Sequence, residues 1–195
     1  MMRIIAGRFK GRLLQAPSGL ETRPTSDRLR EALFNVLAHG YDDPITDARV
    51  LDLFAGTGAL GLEALSRGAA FVQFVEEAAA ARGLIKANIE ALGVAGVTKV
   101  YRRDATYMGP VAPAEPFSLV FCDPPYGKGL AALALASALK GGWLTSDALV
   151  IVEERADQKD ILPEGFETIE ERLYGETKLV FACLSRPSDT TDGPK

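Results

Sequence analysis

The stretch FCDPPYGKG, residues 121–129, closes the apolar run Leu119-Val120-Phe121-Cys122 with a carboxylate, two prolines and a tyrosine. That order extends a strand poorly and starts a helix poorly, because proline lacks an N–H and keeps the residue before it extended. It suits chemistry on an exocyclic amino group. The lone pair of such a nitrogen is delocalised into its ring, which makes it a weak nucleophile. The Asp123 carboxylate and a backbone carbonyl at Pro124, each accepting one amino hydrogen, would draw the nitrogen toward a tetrahedral shape. Its lone pair would then point at an electrophile such as a methyl sulfonium. Pro124 and Pro125 offer carbonyls without a competing N–H. Tyr126 offers a flat face for stacking a base brought out of its helix or loop.

A second chemical signal lies upstream in LDLFAGTGALG, residues 51–61, where Gly56, Gly58 and Gly61 form a GxGxxG. It follows an apolar strand and opens a helix, the context in which glycines let a backbone approach a nucleotide-type cofactor. Glu76 ends the next strand, 20 residues after Gly56, where a carboxylate accepts from both ribose hydroxyls. NAD and S-adenosylmethionine both satisfy that pattern. Asp52, inside the strand before the loop, favours the latter, because a carboxylate there suits a methionine ammonium beside a sulfonium better than a pyrophosphate. Asp104, in RRDA, ends the third strand and is positioned to accept from an adenine amino group.

These residues need strand ends to hold them, and the patterning supplies them. Strands are expected at 50–54, 71–75, 97–102, 119–122 and 149–152, with helices at 59–67, 78–92 and about 130–139. Residues 167–174 and 178–184 read as two strands joined by the tight turn Gly175-Glu176-Thr177. Alternating strands and helices imply a doubly wound, mostly parallel sheet, with the final hairpin antiparallel at its edge. Ahead of it, residues 2–16 read as a small hairpin around Gly7 and Gly11. A helix follows, with Thr25 or Ser26 as N-cap and Leu29, Leu33, Phe34 and Leu37 on one face. Arg28, Arg30 and Glu31 fall largely off that face, and Arg30 and Glu31 read as solvated. Asp42-Asp43-Pro44 closes the extension.

The 195 residues, 47% hydrophobic, allow one well-buried domain with a small extension. The net charge of −4 is uneven: residues 1–40 carry seven Lys/Arg against three Asp/Glu. A basic arm on an acidic body points to a polyanion. Cys122 and Cys183 sit in apolar runs and are expected to be buried reduced thiols. No metal site is expected, because His39 is the only histidine, at a helix end. No leader and no 18-residue apolar span is read in the chain, so it is expected to be cytoplasmic with no membrane partner.

LDLFAGTGALGLEALSRGA, VEE, RRDA and FCDPPYGKG, in this order, resemble class I S-adenosylmethionine-dependent methyltransferases acting on amino nitrogens. With RIIAGRFKGRLL and RPTSDRLREALFNVL added, the chain up to about Ser185 resembles the RsmD family. That resemblance implies a Rossmann-like fold with a seven-stranded sheet. It also implies methylation of N2 of a guanine in 16S ribosomal RNA, conventionally position 966, with S-adenosylhomocysteine as product and the 30S subunit as partner of a monomeric enzyme. By the same resemblance Asp52, Phe54, Gly56 and Gly58 line the methionine end, Glu76 the ribose, and Asp104 with Ala105 the adenine. Asp123, Pro124, Pro125 and Tyr126 would hold the target base. Residues 1–43 would form a basic RNA-binding extension, 44–185 the methyltransferase domain and 186–195 a disordered tail. Arg3, Arg8, Lys10, Arg12, Arg23 and Arg28 are the candidate RNA contacts.

Asp-Pro-Pro-Tyr alone does not choose the base, so adenine-N6 and cytosine-N4 methylation remain alternatives. Glutamine-methylating relatives usually carry Asn where this chain has Asp123. An NAD(P)-dependent oxidoreductase would use the glycines and Glu76 but leave the Asp-Pro-Pro-Tyr stretch and the basic arm idle. A non-catalytic ribosome assembly factor that retains the fold is the remaining alternative.

Overall fold

The computed structural model describes residues 2–17 and 24–185, apart from the side chains of 24–26. Arg23 and the tail 186–195 lie outside the described residues. Helix α1 spans Pro24–Gly40. The alternating part then runs β1 (Arg49–Leu53), α2 (Ala59–Ser66), β2 (Phe71–Val75), α3 (Ala79–Leu92), β3 (Thr98–Tyr101), β4 (Phe117–Cys122) and α4 (Leu130–Lys140). Strands β5 (Leu144–Arg155), β6 (Phe166–Tyr174) and β7 (Thr177–Leu184) complete it.

These strands form one sheet in the order β3-β2-β1-β4-β5-β7-β6. Strands β1 to β5 pair in parallel, and β7 runs antiparallel to both β5 and β6. Parallel strands covered on both faces are mostly apolar, and β1 and β4 are buried almost end to end. Their alternate residues feed two cores. Val50, Leu119 and Phe121 pack with α1, α2 and α3, whereas Leu51, Leu53, Val120 and Cys122 pack with α4, Met108 and Trp143.

Helix α2 is apolar or small at nearly every position and buried at nearly all of them. A helix buried all round needs a second cover beyond the sheet. Residues 2–17 supply it. Buried Glu63 accepts from the Ile5 and Ala6 amides at 2.7 and 3.0 Å, and Ser66 Oγ accepts from the Phe9 amide at 3.0 Å. Gly7, at φ +79, passes so close that a Cβ would lie 1.9 Å from the Ser66 carbonyl oxygen.

Several expectations change in detail. The N-terminal hairpin is a chain reversal with a single antiparallel bridge, Arg3 to Leu13. Helix α1 begins at Pro24, so Thr25 and Ser26 lie inside its first turn rather than capping it. Arg30 is not solvated: only 5% exposed, it donates to the Arg3 carbonyl at 2.8 Å and to Asp27 at 3.0 Å. Residues 2–17 cover the helix face that looked free. Cys122 is buried, but Cys183 is half-buried on the edge hairpin, its thiol 3.4 Å from Glu167. Strand β5 starts five residues earlier than expected, with an irregular register between Phe117 and Leu119 of β4.

Candidate active site

The sheet order reverses between β1 and β4, so the connections from these neighbours leave in opposite directions. A crevice opens at their carboxyl ends, the usual ligand site of such sheets. Asp52 pairs with Phe121 and Leu53 with Cys122, which brings the glycine loop and Asp123 out side by side. The Asp123 amide lies 3.4 Å from the Leu53 carbonyl oxygen.

The loop is held from within. Gly56 and Gly58 take φ of +56 and +79, and Phe54 takes φ +59, a left-handed conformation that costs a side-chain-bearing residue about 1–2 kcal/mol. Asp52 Oδ2 accepts from the Gly61 amide at 3.0 Å. Gly61 has no room for a side chain, since a Cβ would sit 2.5 Å from the Phe74 ring and 2.7 Å from Val72. Glu76 accepts from the Gly56 amide at 2.9 Å and from the Ala78 amide at 2.8 Å. Each of its oxygens keeps a lone pair for a further donor.

Three cavities follow one another along the strand ends. An outer one of about 520 Å³ is lined by Phe54, Glu76, Asp104, Ala105 and Pro125. A narrow central one of about 180 Å³ holds Asp52, Phe54, Gly56, Asp123 and Glu153, closed over by Met2, Leu29, Arg30 and Leu33. The third, about 970 Å³, is lined by Leu29, Tyr126, Glu153, Arg155 and Thr177. Phe54 is common to the first two, and Leu29 and Glu153 to the last two.

Most of the expected site residues therefore border this trough. Pro125 faces the outer cavity beside Ala105 rather than the Tyr126 side, and Pro124 is buried. Asp104 borders the outer cavity, but its Oδ1 already accepts from the Thr106 amide and hydroxyl at 2.8 and 2.7 Å. Arg3, Arg8, Lys10, Arg12 and Arg28 are all exposed. The Arg8 guanidinium lies over the Phe9 ring at 4.5 Å, and Arg12 donates to the Ala91 carbonyl at 3.0 Å.

Sequence reading missed Glu153. It accepts the Tyr126 hydroxyl's hydrogen bond, while the next residue, Glu154, is buried and accepts from the Gly127 amide at 3.0 Å. The signal was present, because VIVEER also ends an apolar run in acids, as β2 and β4 do.

The centre of the trough is strongly acidic. Burial pushes Asp52 up to about 8, with the Glu76 charge adding to the effect and the Gly61 amide opposing it. Asp123 is pushed well above the usual carboxylate range, first by burial and then by Glu153, Asp52 and Glu154. Burial also raises Glu153, against the Tyr126 hydrogen bond. Carboxylates crowded in this way favour a ligand that brings positive charge or N–H donors and disfavour a pyrophosphate.

A family model described as conserved hypothetical protein 95 matches residues 2–183. Ribosomal RNA small subunit methyltransferase D of Escherichia coli K12 is 37% identical over 177 residues, 90% of this chain and 86% of the relative. The chain belongs to the RsmD family. The Haemophilus influenzae protein of the same name is 34% identical over 176 residues, 89% of each chain. The solved structure of Escherichia coli yhhF matches with a TM-score of 0.79 at 37% identity, covering 94% of this chain and 97% of that one. Likeness to the RsmD family thus takes in the N-terminal segment over α2 as well as the sheet, and the fold is that of the Rossmann-like class I methyltransferases.

Proposed function

We propose that this protein transfers a methyl group from S-adenosylmethionine to N2 of a guanine in 16S ribosomal RNA, within an assembled or assembling small subunit. The observation that carries this reading is that the central cavity, which holds Asp52 and Asp123, and the open cavity beside Tyr126 meet at Glu153. The names of its relatives, ribosomal RNA small subunit methyltransferase D, support the RNA. The residues fit the cofactor. Asp52 would take the methionine ammonium, Glu76 the ribose hydroxyls, and the outer cavity bordered by Asp104 and Ala105 the adenine. When bound, S-adenosylmethionine supplies an electrophilic methyl on a sulfonium.

The chain's own part is placement. Asp123 accepts one hydrogen of the target amino group and a carbonyl at Pro124 accepts the other, which frees the lone pair. Tyr126, its hydroxyl tied to Glu153 and 3.4 Å from the Thr177 hydroxyl, offers its ring to the base. Leu29, Leu33 and Met2 give the central cavity an apolar side. Placement of this kind accounts for roughly 7–11 kcal/mol of a barrier. The exposed cations of the first 28 residues would contact phosphate, with residues 1–43 acting as the RNA-binding part, 44–185 as the catalytic part, and the enzyme working as a cytoplasmic monomer.

The test is methyl transfer from labelled S-adenosylmethionine to 30S particles, free 16S RNA and duplex DNA from cells lacking the enzyme, followed by mass identification of the nucleoside. N2-methylguanosine at one site is the expected product. Methyladenine or methylcytosine would overturn the base assignment, and no transfer to any of them would overturn the activity.

A further inference from the structure

The stretch Asp123–Tyr126 presents acceptors to an amino group but does not by itself distinguish guanine from adenine or cytosine. A further carboxylate of the trough, Glu153, stands where it can. Glu153 sits at the end of β5, next to β4 in the sheet, and borders both the central cavity with Asp123 and the open cavity with Tyr126. One of its oxygens accepts the Tyr126 hydroxyl, and the other accepts no hydrogen bond from the described residues. Glu154 beside it is buried and borders neither cavity, and one of its oxygens takes both the Gly127 and Arg155 amides, at 3.0 and 2.9 Å. Glu153 is therefore the carboxylate that borders both cavities with an oxygen to spare.

The three bases with exocyclic amino groups differ at the ring nitrogens next to that group. In guanine one of the two, N1, carries a hydrogen. In adenine N1 and in cytosine N3 it carries a lone pair. A carboxylate oxygen facing that position gains a hydrogen bond from guanine and faces a repelling lone pair in the other two. We propose that Glu153 is the base-selecting residue: its spare oxygen accepts the N1–H of guanine while Asp123 holds the adjacent N2 amino group. This rests on the methyltransferase reading above and extends it from the amino group to the identity of the base.

The probe is 2-aminopurine, which keeps the 2-amino group, lacks O6 and replaces N1–H by a lone pair; the Glu153 variant separates the N1 contribution from that of O6. Small-subunit particles are reconstituted with 16S RNA carrying guanine or 2-aminopurine at the methylated position, and kcat/KM is measured for both. The native enzyme is expected to prefer guanine by about 100-fold. Glu153→Gln, whose amide can donate as well as accept, is expected to lose most of the guanine rate and bring the two substrates within about tenfold of each other. Equal use of guanine and 2-aminopurine by the native enzyme would overturn the proposal, whatever the folding of the variant. So would an unchanged preference in Glu153→Gln. A native enzyme that methylates neither RNA would instead overturn the functional reading on which the proposal rests.

Discussion

Gln15 and Asn88 exchange two hydrogen bonds: the Gln15 amide donates to Asn88 Oδ1 at 2.7 Å, and Asn88 Nδ2 donates to the Gln15 carbonyl at 3.1 Å. The same Nδ2 reaches the Thr57 carbonyl of the glycine loop, also at 3.1 Å. One fully buried amide on α3 thus ties the N-terminal segment to the cofactor loop. Asn88→Ala strips three backbone groups of their partner and is expected to cost about 2–3 kcal/mol. Urea denaturation measures the loss, and hydrogen exchange of residues 2–17 should rise with it; unchanged protection would show that the tie holds nothing.

Gly61→Ala drives a methyl into the Phe74 ring and Val72. Overpacking of this kind costs about 1–3 kcal/mol. It also pushes the start of α2 away from Asp52, so affinity for S-adenosylmethionine should fall together with the melting temperature. A variant as stable as the parent would mean that α2 has slack which its burial does not suggest.

Asp52 links stability and ligand binding to pH. Its folded-state value of about 8 lies above the ordinary 3.8, so the protonated form is the one the fold favours. The stability it contributes is complete below about pH 4 and is lost as pH rises toward 8. Asp52→Asn removes this titration and the repulsion from Glu76 and Asp123. It should be more stable than the parent near pH 8, by at least about 1 kcal/mol, with the gap closing toward pH 4. A cation bound beside Asp52 draws off its proton, so binding of S-adenosylmethionine at pH 7 should release protons. Calorimetry in buffers of different ionisation heat reads that release, which Asp52→Asn should reduce.

For Asp123, loss of one orienting acceptor is expected to lower kcat by about 10²–10³-fold. Asp123→Ala removes that acceptor without crowding the site, so affinity for the particle should survive. Loss of RNA binding in step with activity would point to a folding role instead.

The exposed cations of the arm should act through charge. Replacing Arg3, Arg8 or Lys10 with alanine, each exposed, should weaken RNA binding and lower the slope of log affinity against log salt by about 0.7–0.9 for each phosphate no longer neutralised. Anisotropy titrations over a range of salt decide it; a slope that does not move assigns that side chain to solvent.

The sheet was readable because parallel strands covered on both faces appear as mostly apolar runs, and Glu76 and Asp123 stand where such a run stops. Val72–Val75 and Val50–Leu53, each with one polar residue, need no tertiary information to be recognised. Arg30 and Glu153 escaped for different reasons. The helical wheel puts Arg30 off the apolar face correctly, but the cover on that face comes from residues 2–17, which are distant in sequence. Glu153 begins the charged stretch EER, which resembles a solvated strand end until β7 and Tyr126 are brought against it.

The roof of the central cavity has a practical consequence. Met2, Leu29, Arg30 and Leu33 belong to the part of the chain that carries the exposed arginines, yet they enclose the space beside Asp52 and Asp123. Met2 even accepts from the Thr57 hydroxyl at 3.3 Å. A fragment cut to begin at β1 would keep every motif of the glycine loop and the Asp-Pro-Pro-Tyr stretch but leave that cavity unroofed to water. The arm is therefore not an accessory that can be swapped between scaffolds: grafting this chemistry onto another RNA-binding module means transplanting its lid as well.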